Sequence, residues 1–539
     1  MEDKLKRLFC GLLFAHVCIV GLLSAVPPVS RDALTHHLAL PKLYLQGGGI
    51  FEIPTLGFSY YPMNLDLLYA IPLYFGNDIL PKYIHFSFAL GTALLLYAYL
   101  KRRLGGGYPL LGALLFLSVP VIVKLSITVY VDLGLIFFST AAILALFRWF
   151  ECSFSIRYLL ISATFCGLSM GTKYNGLVVF TLLTLFIPLC CSQLSSDGDN
   201  GAFRSLLHTF LFVAVSLLVF SPWMIRNFYW THNPLYPLYQ GFFNGDGSTI
   251  AGKSIGLFTF REAVYGESWW QIALVPLRVF FEGQDNVPRY FDGRLNIYLA
   301  LLPFFAFAGV KGRNRFEKLE IRILSFFSVL YILVVFFKSD MRIRYIAPVV
   351  PPLVILSVFG IRQIISIIRD RTGKNAKKVL FFVFLASFIV IAWFSGTYLI
   401  GLFRQVAPFD YISGRVGRDT YIGRHVPEYG VVRYANNRLA ENTRILCLFL
   451  GNRGYYFDRE TVFDEALFPA AVNRSPAASE IGAALKKKGV THILVRYDLL
   501  NRWSGDNYDD GGIRKIVAFF RGHAKLLFSE NGYGLYRLI

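Results

Sequence analysis

Long hydrophobic blocks are the feature that most limits what this chain can fold into. Roughly 18–22 residues make up a typical block, and blocks of this kind recur through about the first 401 residues. An α-helix of that length crosses the hydrocarbon core of a bilayer. We therefore predict a polytopic α-helical membrane protein with about 11 transmembrane helices, at about 8–27, 83–100, 108–123, 133–150, 158–171, 176–192, 207–225, 297–310, 323–337, 346–366 and 379–401.

The composition excludes several other classes of protein. Charged residues make up only 16% of the chain, and the mean hydropathy is +0.50. The net charge of +20 does not indicate nucleic-acid binding, because many of the basic residues stand in short loops between hydrophobic blocks, where they meet lipid headgroups. The seven cysteines show no CxxC or Cys/His spacing, so the sequence supports neither a zinc site nor a disulfide framework.

The basic loops also predict an orientation. Three of them, at 101–103, 311–315 and 369–378, fall on one side of the predicted spans together with the N-terminus. The positive-inside rule assigns that side to the cytoplasm. The N-terminal segment resembles a signal peptide, but its apolar run is long, and we interpret it as an uncleaved first helix. We expect a multi-pass inner (cytoplasmic) membrane protein with a cytoplasmic N-terminus.

The odd number of spans predicts that the tail lies outside the cytoplasm. We expect a membrane module at 1–401, with outer loops at 28–82 and 226–296, and a periplasmic or extracytoplasmic α/β domain at 402–539. The tail has strand-like runs, ILCLFLG and VTHILVRYD, and a closing pair, KLLFSEN and GYGLYRLI. Helical patterns separate them, and Gly489 is placed as a helix C-cap.

The polar stretch Ser30–Pro62 carries the first candidate for chemistry, Asp32. A carboxylate at the outer mouth of a membrane helix can act as a general base, and His36 and His37 could position it. Alternatively, Ser30 or Asp32 caps a short helix that ends at Gly47. The two histidines could instead bind a metal, but no third ligand stands at helical spacing.

Five more charged residues are predicted on the outer side. Asp132 begins a span, and its alternative role is to cap that helix. Lys173 could neutralise a phosphate or extend to the membrane surface. Three arginines offer bidentate hydrogen bonds to phosphate oxygens, with lipid-headgroup contact as the alternative; they are Arg226, Arg342 and Arg344.

These residues stand in a recognisable order of motifs. The series is D-x3-HHLALPKLYLQGG, YYPMNLDLLY, YVDLGLIFF, GTKYNG, SPWMIRNFYWTHNPLYP and RIRYIAPVVPPL. It resembles the GT-C class of membrane glycosyltransferases. The likeness is greatest to bacterial members akin to dolichyl-phosphate-mannose protein mannosyltransferases and the lipid A aminoarabinose transferase. The resemblance covers about residues 1–400, and YISGRVGRDTYIGRHVPEY is similar to the start of the outer domain in such members.

The resemblance implies an enzyme. Such enzymes move a sugar, with inversion, from a polyprenyl-phosphate donor to a lipid, glycan or protein acceptor on the outer face of the membrane. Asp32 matches their general base, and basic residues hold the donor phosphate. We expect the substrate-binding residues to be His36, His37, Lys42, Tyr61, Asp132, Lys173, Arg226, Asn233, Arg342, Arg344 and Tyr345.

No cofactor is expected. Metal-dependent members of this class carry paired acids in their outer loops, whereas Asp32 and Asp132 here have no adjacent acid. Transfer is therefore predicted to need no metal.

Two other functions fit a chain of this kind. One is a transporter or flippase of lipid-linked sugars, although polar residues at the outer boundary and the lack of an internal repeat favour an enzyme. The other is a non-catalytic membrane subunit with a sensing outer domain.

Overall fold

Helices form most of this protein. The computed structural model describes residues 2–194, 200–245, 256–308, 313–337, 341–372 and 393–539. In the first half of the chain the α-helices are α1 Glu2–Ser24, α2 Ala39–Gln46, α3 Asn64–Tyr74, α4 Leu80–Arg103, α5 Tyr108–Leu117, α6 Pro120–Ser126, α7 Asp132–Glu151, α8 Ile156–Thr172, α9 Gly176–Leu194 and α10 Asn200–Thr231. They are followed by α11 Gln240–Phe243, α12 Leu257–Tyr265, α13 Trp269–Ala273, α14 Val275–Arg278, α15 Tyr298–Phe305, α16 Arg315–Phe336, α17 Val350–Thr372 and α18 at 393–406.

Several of these helices are long and apolar enough to cross a membrane, so the prediction of a multi-span protein is confirmed. Among the described residues there are seven, or up to eight if the pair α5 and α6, bent by 67°, counts as one. The seven are Asp3–Ser24, Leu80–Arg103, Asp132–Glu151, Gly176–Leu194, Gly201–Thr231, Arg315–Phe336 and Ile343–Asp370.

The number eleven stays a prediction. The spans expected at 158–171 and 297–310 correspond to shorter helices, α8 with 17 residues and α15 with 8. The span expected at 379–401 lies largely outside the described residues, which resume at 393.

The chain divides into two compact units. Unit 1 comprises 1–25, 61–68 and 80–408, and unit 2 comprises 26–60, 69–79 and 409–539. The domain boundary expected near 402 stays a prediction, and in this partition most of the predicted outer loop 28–82 groups with the C-terminal residues.

A glycine allows close packing between helices of unit 1. Helix α8 packs against both α7 and α10, and α4 packs against α5 and α7. At the end of α8, a Cβ on Gly171 would lie 2.3 Å from the side-chain nitrogen of Asn64. Asn64 in turn accepts a hydrogen bond from the Trp223 indole at 2.8 Å. Glycine at 171 therefore lets α3 and α10 approach the end of α8.

Unit 2 contains a five-stranded sheet with helices. Its strand order is β2-β1-β3-β5-β4, parallel among the first three and antiparallel for the last two. Four of the strands coincide with the runs identified in the sequence, whereas the short strand Glu460–Val462 was not predicted. Gly489, expected as a helix C-cap, has a positive φ of 78°. The elements are α19 Pro408–Ile412, α20 Arg418–His425, α21 Tyr429–Arg438, β1 Arg444–Leu448, β2 Glu460–Val462, α22 Leu467–Arg474, α23 Ala478–Lys486, β3 His492–Arg496, α24 Tyr497–Asn507, α25 Asp510–Ala518, β4 Ala524–Glu530 and β5 Tyr533–Leu538.

Candidate active site

The turn between α8 and α9 is the centre of a polar cluster in unit 1. Its three residues, Lys173, Tyr174 and Asn175, direct their side chains to different elements. Lys173 Nζ donates to Asp132 Oδ1 at 2.7 Å. Asp132, at the start of α7, is only 1% exposed. A buried carboxylate is normally paired in this way, because an isolated buried charge is costly.

His85 fixes the start of α7 beside Asp132. Its Nε2 accepts from the Leu133 backbone N–H at 3.0 Å, and its Nδ1 lies 3.0 Å from the carbonyl oxygens of Leu125 and Thr128. An acceptor at Nε2 and carbonyls at Nδ1 correspond to the neutral ring with its proton on Nδ1. His85 is fully buried and was not among the residues predicted from the sequence.

Two cations flank the ring of Tyr345. Lys173 Nζ lies 5.3 Å from the centroid of this ring, and the Arg344 guanidinium carbon also lies 5.3 Å from it. Arg344 lies 5.0 Å from the ring of Tyr130 as well. Asn175 donates to the Tyr345 carbonyl at 3.4 Å. Cation–π contacts of this kind hold basic groups without neutralising them. Asp132 balances the charge of Lys173, so Lys173, Arg344 and Asp132 together carry a formal charge of one positive unit.

Asp132 retains unused hydrogen-bonding capacity. Its Oδ2 is buried, and no group in the described part of the chain donates to it. Buried polar atoms in native proteins nearly always have a partner. This oxygen can therefore accept a hydrogen bond from a hydroxyl group that enters the cluster.

Arg226 forms a second branch, on α10. Its Nε and Nη2 donate to Asn227 Oδ1 at 3.1 and 2.8 Å, and its Nη2 also donates to the Tyr61 carbonyl at 3.1 Å. The guanidinium carbon lies 4.7 and 4.9 Å from the rings of Trp223 and Trp230. Aromatic faces and an amide oxygen thus fix the plane of the guanidinium.

Tyr174 joins the two branches. Its hydroxyl donates to the Tyr236 carbonyl at 2.7 Å and accepts from Asn227 Nδ2 at 3.0 Å. The rings of Tyr61 and Tyr174 meet edge to face, with centroids 5.6 Å apart. Burial raises the pKa of both phenols. Both stay neutral at physiological pH, so the network keeps these bonds.

Arg342 belongs to a different cluster from Arg344. Its Nη1 lies 3.5 Å from Asp292 Oδ2. Lys124 contacts Asp292 Oδ1 at 3.2 Å and Asp285 Oδ1 at 3.1 Å. Burial raises the pKa of Asp292, but Lys124 and its other donors outweigh burial, and the pKa lies below its usual value.

Asn233 shapes the loop that carries Tyr236. Its Nδ2 donates to the Leu238 carbonyl at 2.8 Å and to Gln240 Oε1 at 3.1 Å. Its Oδ1 accepts from the Leu235 backbone N–H at 2.9 Å. The buried amide is thus engaged within its own loop.

The remaining predicted residues lie in unit 2. Asp32 stands at the N-cap of a π-helical turn, Ala33–His37, and its side chain makes no capping hydrogen bond. The capping role considered for Asp32 is therefore not observed. His36 stacks on Phe58 with ring centroids 4.2 Å apart, and the His36 and His37 rings are 4.0 Å apart.

Lys42 anchors the first loop within unit 2. Its Nζ donates to the carbonyls of Tyr455 and Phe457 at 3.0 and 2.7 Å and to Asp458 Oδ1 at 3.1 Å. The Tyr455 N–H also donates to the Leu34 carbonyl at 3.1 Å. These bonds explain why the first loop groups with the C-terminal residues.

Sequence reasoning missed the supporting residues of the cluster. They are His85, Tyr130, Tyr174, Trp223, Asn227, Trp230 and Tyr236. Most stand inside the motifs quoted above, and aromatic residues next to an arginine, as in SPWMIRNFYW, were the available signal. Within the described ranges, no group of three or more His, Cys, Asp or Glu side chains could hold a metal ion, and metal independence stays a prediction.

Comparisons with known proteins confirm the resemblance predicted from the sequence. Residues 75–226 match the family model described as dolichyl-phosphate-mannose-protein mannosyltransferase. This range contains Asp132 and Lys173 and ends at Arg226. A search of curated proteins finds no match.

Solved structures with this fold cover nearly the whole chain. ArnT from Cupriavidus metallidurans, in its apo state, is 14% identical with a TM-score of 0.60, and covers 98% of this chain and 97% of its own. The structure of the same protein bound to undecaprenyl phosphate is 13% identical with a TM-score of 0.59, and its coverage of the two chains is the same. A third structure is the oligosaccharyltransferase AglB from Archaeoglobus fulgidus, in complex with an inhibitory peptide and a dolichol-phosphate. It is 13% identical with a TM-score of 0.50, and the match covers 99% of this chain and 74% of AglB. The chain therefore has the fold of GT-C glycosyltransferases.

Proposed function

We propose that this protein is an inverting glycosyltransferase that takes a sugar from a polyprenyl-phosphate donor. The family match over 75–226 and the shared fold support the reaction class. The observation that carries the proposal is the cluster at the α8–α9 turn, where Lys173 and Arg344 flank Tyr345 beside the buried Asp132. A fixed cationic site lined by aromatic rings suits a phosphate attached to an apolar lipid.

The donor phosphate is the leaving group, so positive charge at its oxygens lowers the barrier. As the bond between sugar carbon and phosphate oxygen breaks, negative charge grows on the phosphate. Lys173 and Arg344 are assigned to that charge, and Arg226 to a second phosphate contact. Because hydrogen bonds and aromatic rings already hold these cations in place, little reorganisation is needed at the moment of reaction.

Asp132 has two assigned tasks. Its Oδ1 holds Lys173 in place, and its buried Oδ2 is assigned to accept a hydrogen bond from a hydroxyl of the donor sugar. This second bond orients the sugar for attack on the face opposite the phosphate. It also pairs an oxygen that is otherwise unsatisfied within the described residues.

Asp32 is assigned as the general base. It removes the proton of the acceptor hydroxyl as the hydroxyl oxygen attacks the sugar carbon, and the phosphate leaves with the bonding electron pair. The distribution of basic loops supports an outer-face reaction, with the N-terminus in the cytoplasm and residues 402–539 outside. His36 and His37 are assigned to acceptor positioning.

Arg342 is assigned a supporting electrostatic role. Its charge is shared with Asp292, and Lys124 lies between Asp292 and Asp285. The Asp292 carboxylate offsets part of the Arg342 charge, so Arg342 is a secondary contact for the phosphate.

The test uses the full chain reconstituted in vesicles with a panel of polyprenyl-phosphate sugars, each labelled in the sugar. We expect release of polyprenyl phosphate only in the presence of an acceptor extract, with label appearing on the acceptor. The matched control offers the same sugars as nucleotide derivatives, which should give no transfer. Turnover of the nucleotide sugars alone would contradict a lipid-phosphate donor, and movement of the intact lipid-linked sugar across the bilayer without cleavage would establish the transporter alternative.

A further inference from the structure

A cavity in unit 2 lies between the first loop and the β-sheet. Its volume is about 470 Å³, within the range of small-molecule sites. One wall is a single face of the helical segment that follows Asp32. The residues on this face are Thr35, Ala39, Lys42, Leu43 and Gln46. Their spacing of three, four and seven residues places them together along the helix.

The opposite wall is the edge strand of the sheet. Strand β2 lies at the end of the strand order and pairs with β1. In the part of the chain that the structure describes, no strand pairs with its other edge. Glu460, Thr461 and Val462 of this strand line the cavity. An unpaired strand edge offers backbone hydrogen-bonding groups to a ligand.

Every cation in the wall already has protein partners. Lys42 donates to two carbonyls and to Asp458. Arg459 donates to the carbonyls of Asn436 and Leu439. Arg444 pairs with Glu460 at 2.8 Å and donates to the Lys488 carbonyl. Lys42 in particular uses all three of its N–H donors in these bonds, so none is left for a phosphate and the cavity favours an uncharged ligand.

The other lining groups suit a hydroxyl-rich molecule. Gln46, Thr55 and Thr461 provide an amide and hydroxyls, and the exposed carboxylate of Asp458 can accept further hydrogen bonds. The ring of Phe51, which is 42% exposed, provides an apolar surface. Polar groups combined with an aromatic face match a sugar, whose ring carries both hydroxyls and an apolar C–H face.

We infer that this cavity binds an uncharged saccharide of the acceptor. The inference rests on the proposed function, because it makes the cavity the acceptor subsite of the same reaction. Thr35 stands three residues after Asp32 in the chain, so this end of the lined face is the one nearest in sequence to the proposed base. All residues that line the cavity belong to unit 2, whereas the donor phosphate is assigned to the cationic cluster of unit 1.

The experiment measures binding without turnover. The full chain in neutral-lipid nanodiscs is titrated with maltose, lactose and glucose 6-phosphate, and ligand-observed NMR reports binding. We expect at least one neutral disaccharide to bind more tightly than the phosphorylated sugar. The double variant Gln46→Leu/Thr461→Val should weaken that binding by about fivefold or more, because hydrogen-bonding partners are lost. The matched control is the double variant Thr420→Val on α20 and Asn437→Leu on α21, at two residues that do not line the cavity. It should bind the saccharide as the wild type does.

Several outcomes would overturn the inference. They are preference for glucose 6-phosphate, binding unaffected by the double variant, absence of saccharide binding, and binding of an acetylated, amidated tetrapeptide in place of the sugars. Asp32→Asn separates this inference from the proposed function. The Asp32→Asn variant should bind the saccharide normally. If this variant also retained full transfer, the general-base role would fail, but saccharide binding that depends on Gln46 and Thr461 would still support the cavity assignment. Conversely, if Asp32→Asn lost transfer while no saccharide bound to the wild type, that result would contradict the cavity assignment and leave the general-base role intact.

Discussion

Lys173 and Asp132 form a 2.7 Å ion pair that joins the α8–α9 turn to the start of α7. The carboxylate is 1% exposed and the lysine side chain 21% exposed. Neither residue is therefore a surface charge. The pair both holds the helices together and presents an ammonium group beside Tyr345.

The first prediction separates these two roles. Lys173→Met leaves a buried carboxylate uncompensated and should cost roughly 3–5 kcal/mol of stability. The double variant Asp132→Asn/Lys173→Met should recover most of that loss, since it removes both charges. Transfer activity should stay lost in the double variant, because the phosphate-binding ammonium is gone. Thermal unfolding in detergent and the vesicle transfer assay check the two expectations, and activity that returns along with stability would show a purely structural pair.

The second prediction concerns Arg226. Arg226→Lys keeps the charge but loses the planar contacts with Trp223, Trp230 and Asn227. We expect the KM for the lipid donor to rise about tenfold, with a smaller change in kcat, because phosphate geometry rather than the reacting groups is altered. Arg322→Lys, at an arginine that bonds Gln193, is the control and should change neither. An unchanged KM in Arg226→Lys would remove this residue from the donor site.

The third prediction is a pH dependence at Asp292. Its pKa is lower in the folded protein than its ordinary value, so its charged form stabilises the fold. This contribution is fully present above the unfolded pKa of about 3.9 and is lost as the pH falls through the folded pKa. Asp292→Asn should lower stability at neutral pH and flatten the acid limb of the stability curve. Glu262→Gln, at an exposed acid of unit 1, should leave that limb unchanged, and equal acid limbs in wild type and Asp292→Asn would contradict the account.

The fourth prediction concerns Lys42. Lys42→Met removes the donor that serves the carbonyls of Tyr455 and Phe457. Amide hydrogen exchange should speed up in peptides covering 26–60 and 452–458, at a cost of about 2 kcal/mol in local stability. Lys42→Arg retains hydrogen-bond donors and should restore much of the protection. Exchange that is the same in all three proteins would show that Lys42 does not anchor the first loop.

Much of the fold follows from local patterns in the sequence. Long apolar blocks predict spanning helices because a helix satisfies its backbone hydrogen bonds within its own segment, without help from water. Short apolar runs separated by helical patterns predict the strands of unit 2, and Gly489 marks a helix end by its positive φ. The length of α15 was not predicted. The bend between α5 and α6 falls just before Pro120, so a local signal for it was present in the sequence.

The site is less accessible to sequence reasoning, since it depends on contacts between distant residues. Lys173 was identified as a cation, but its partner Asp132 stands 41 positions earlier. Arg342 and Arg344 are two positions apart, yet one reaches Asp292 and the other Tyr130 and Tyr345. The substrate-binding role of Lys42 stays a prediction, and its bonds to protein groups of unit 2 could not be read from the sequence.

The most direct measurement is a single-turnover comparison of Asp32→Asn with the wild type, using a labelled polyprenyl-phosphate sugar in reconstituted vesicles. Glu52→Gln, at the next acid along the chain, is the matched control and should retain activity. If Asp32 is the general base, Asp32→Asn should bind the lipid donor normally and transfer the sugar at least about 100-fold more slowly. Transfer by Asp32→Asn at nearly the wild-type rate would contradict the proposed mechanism.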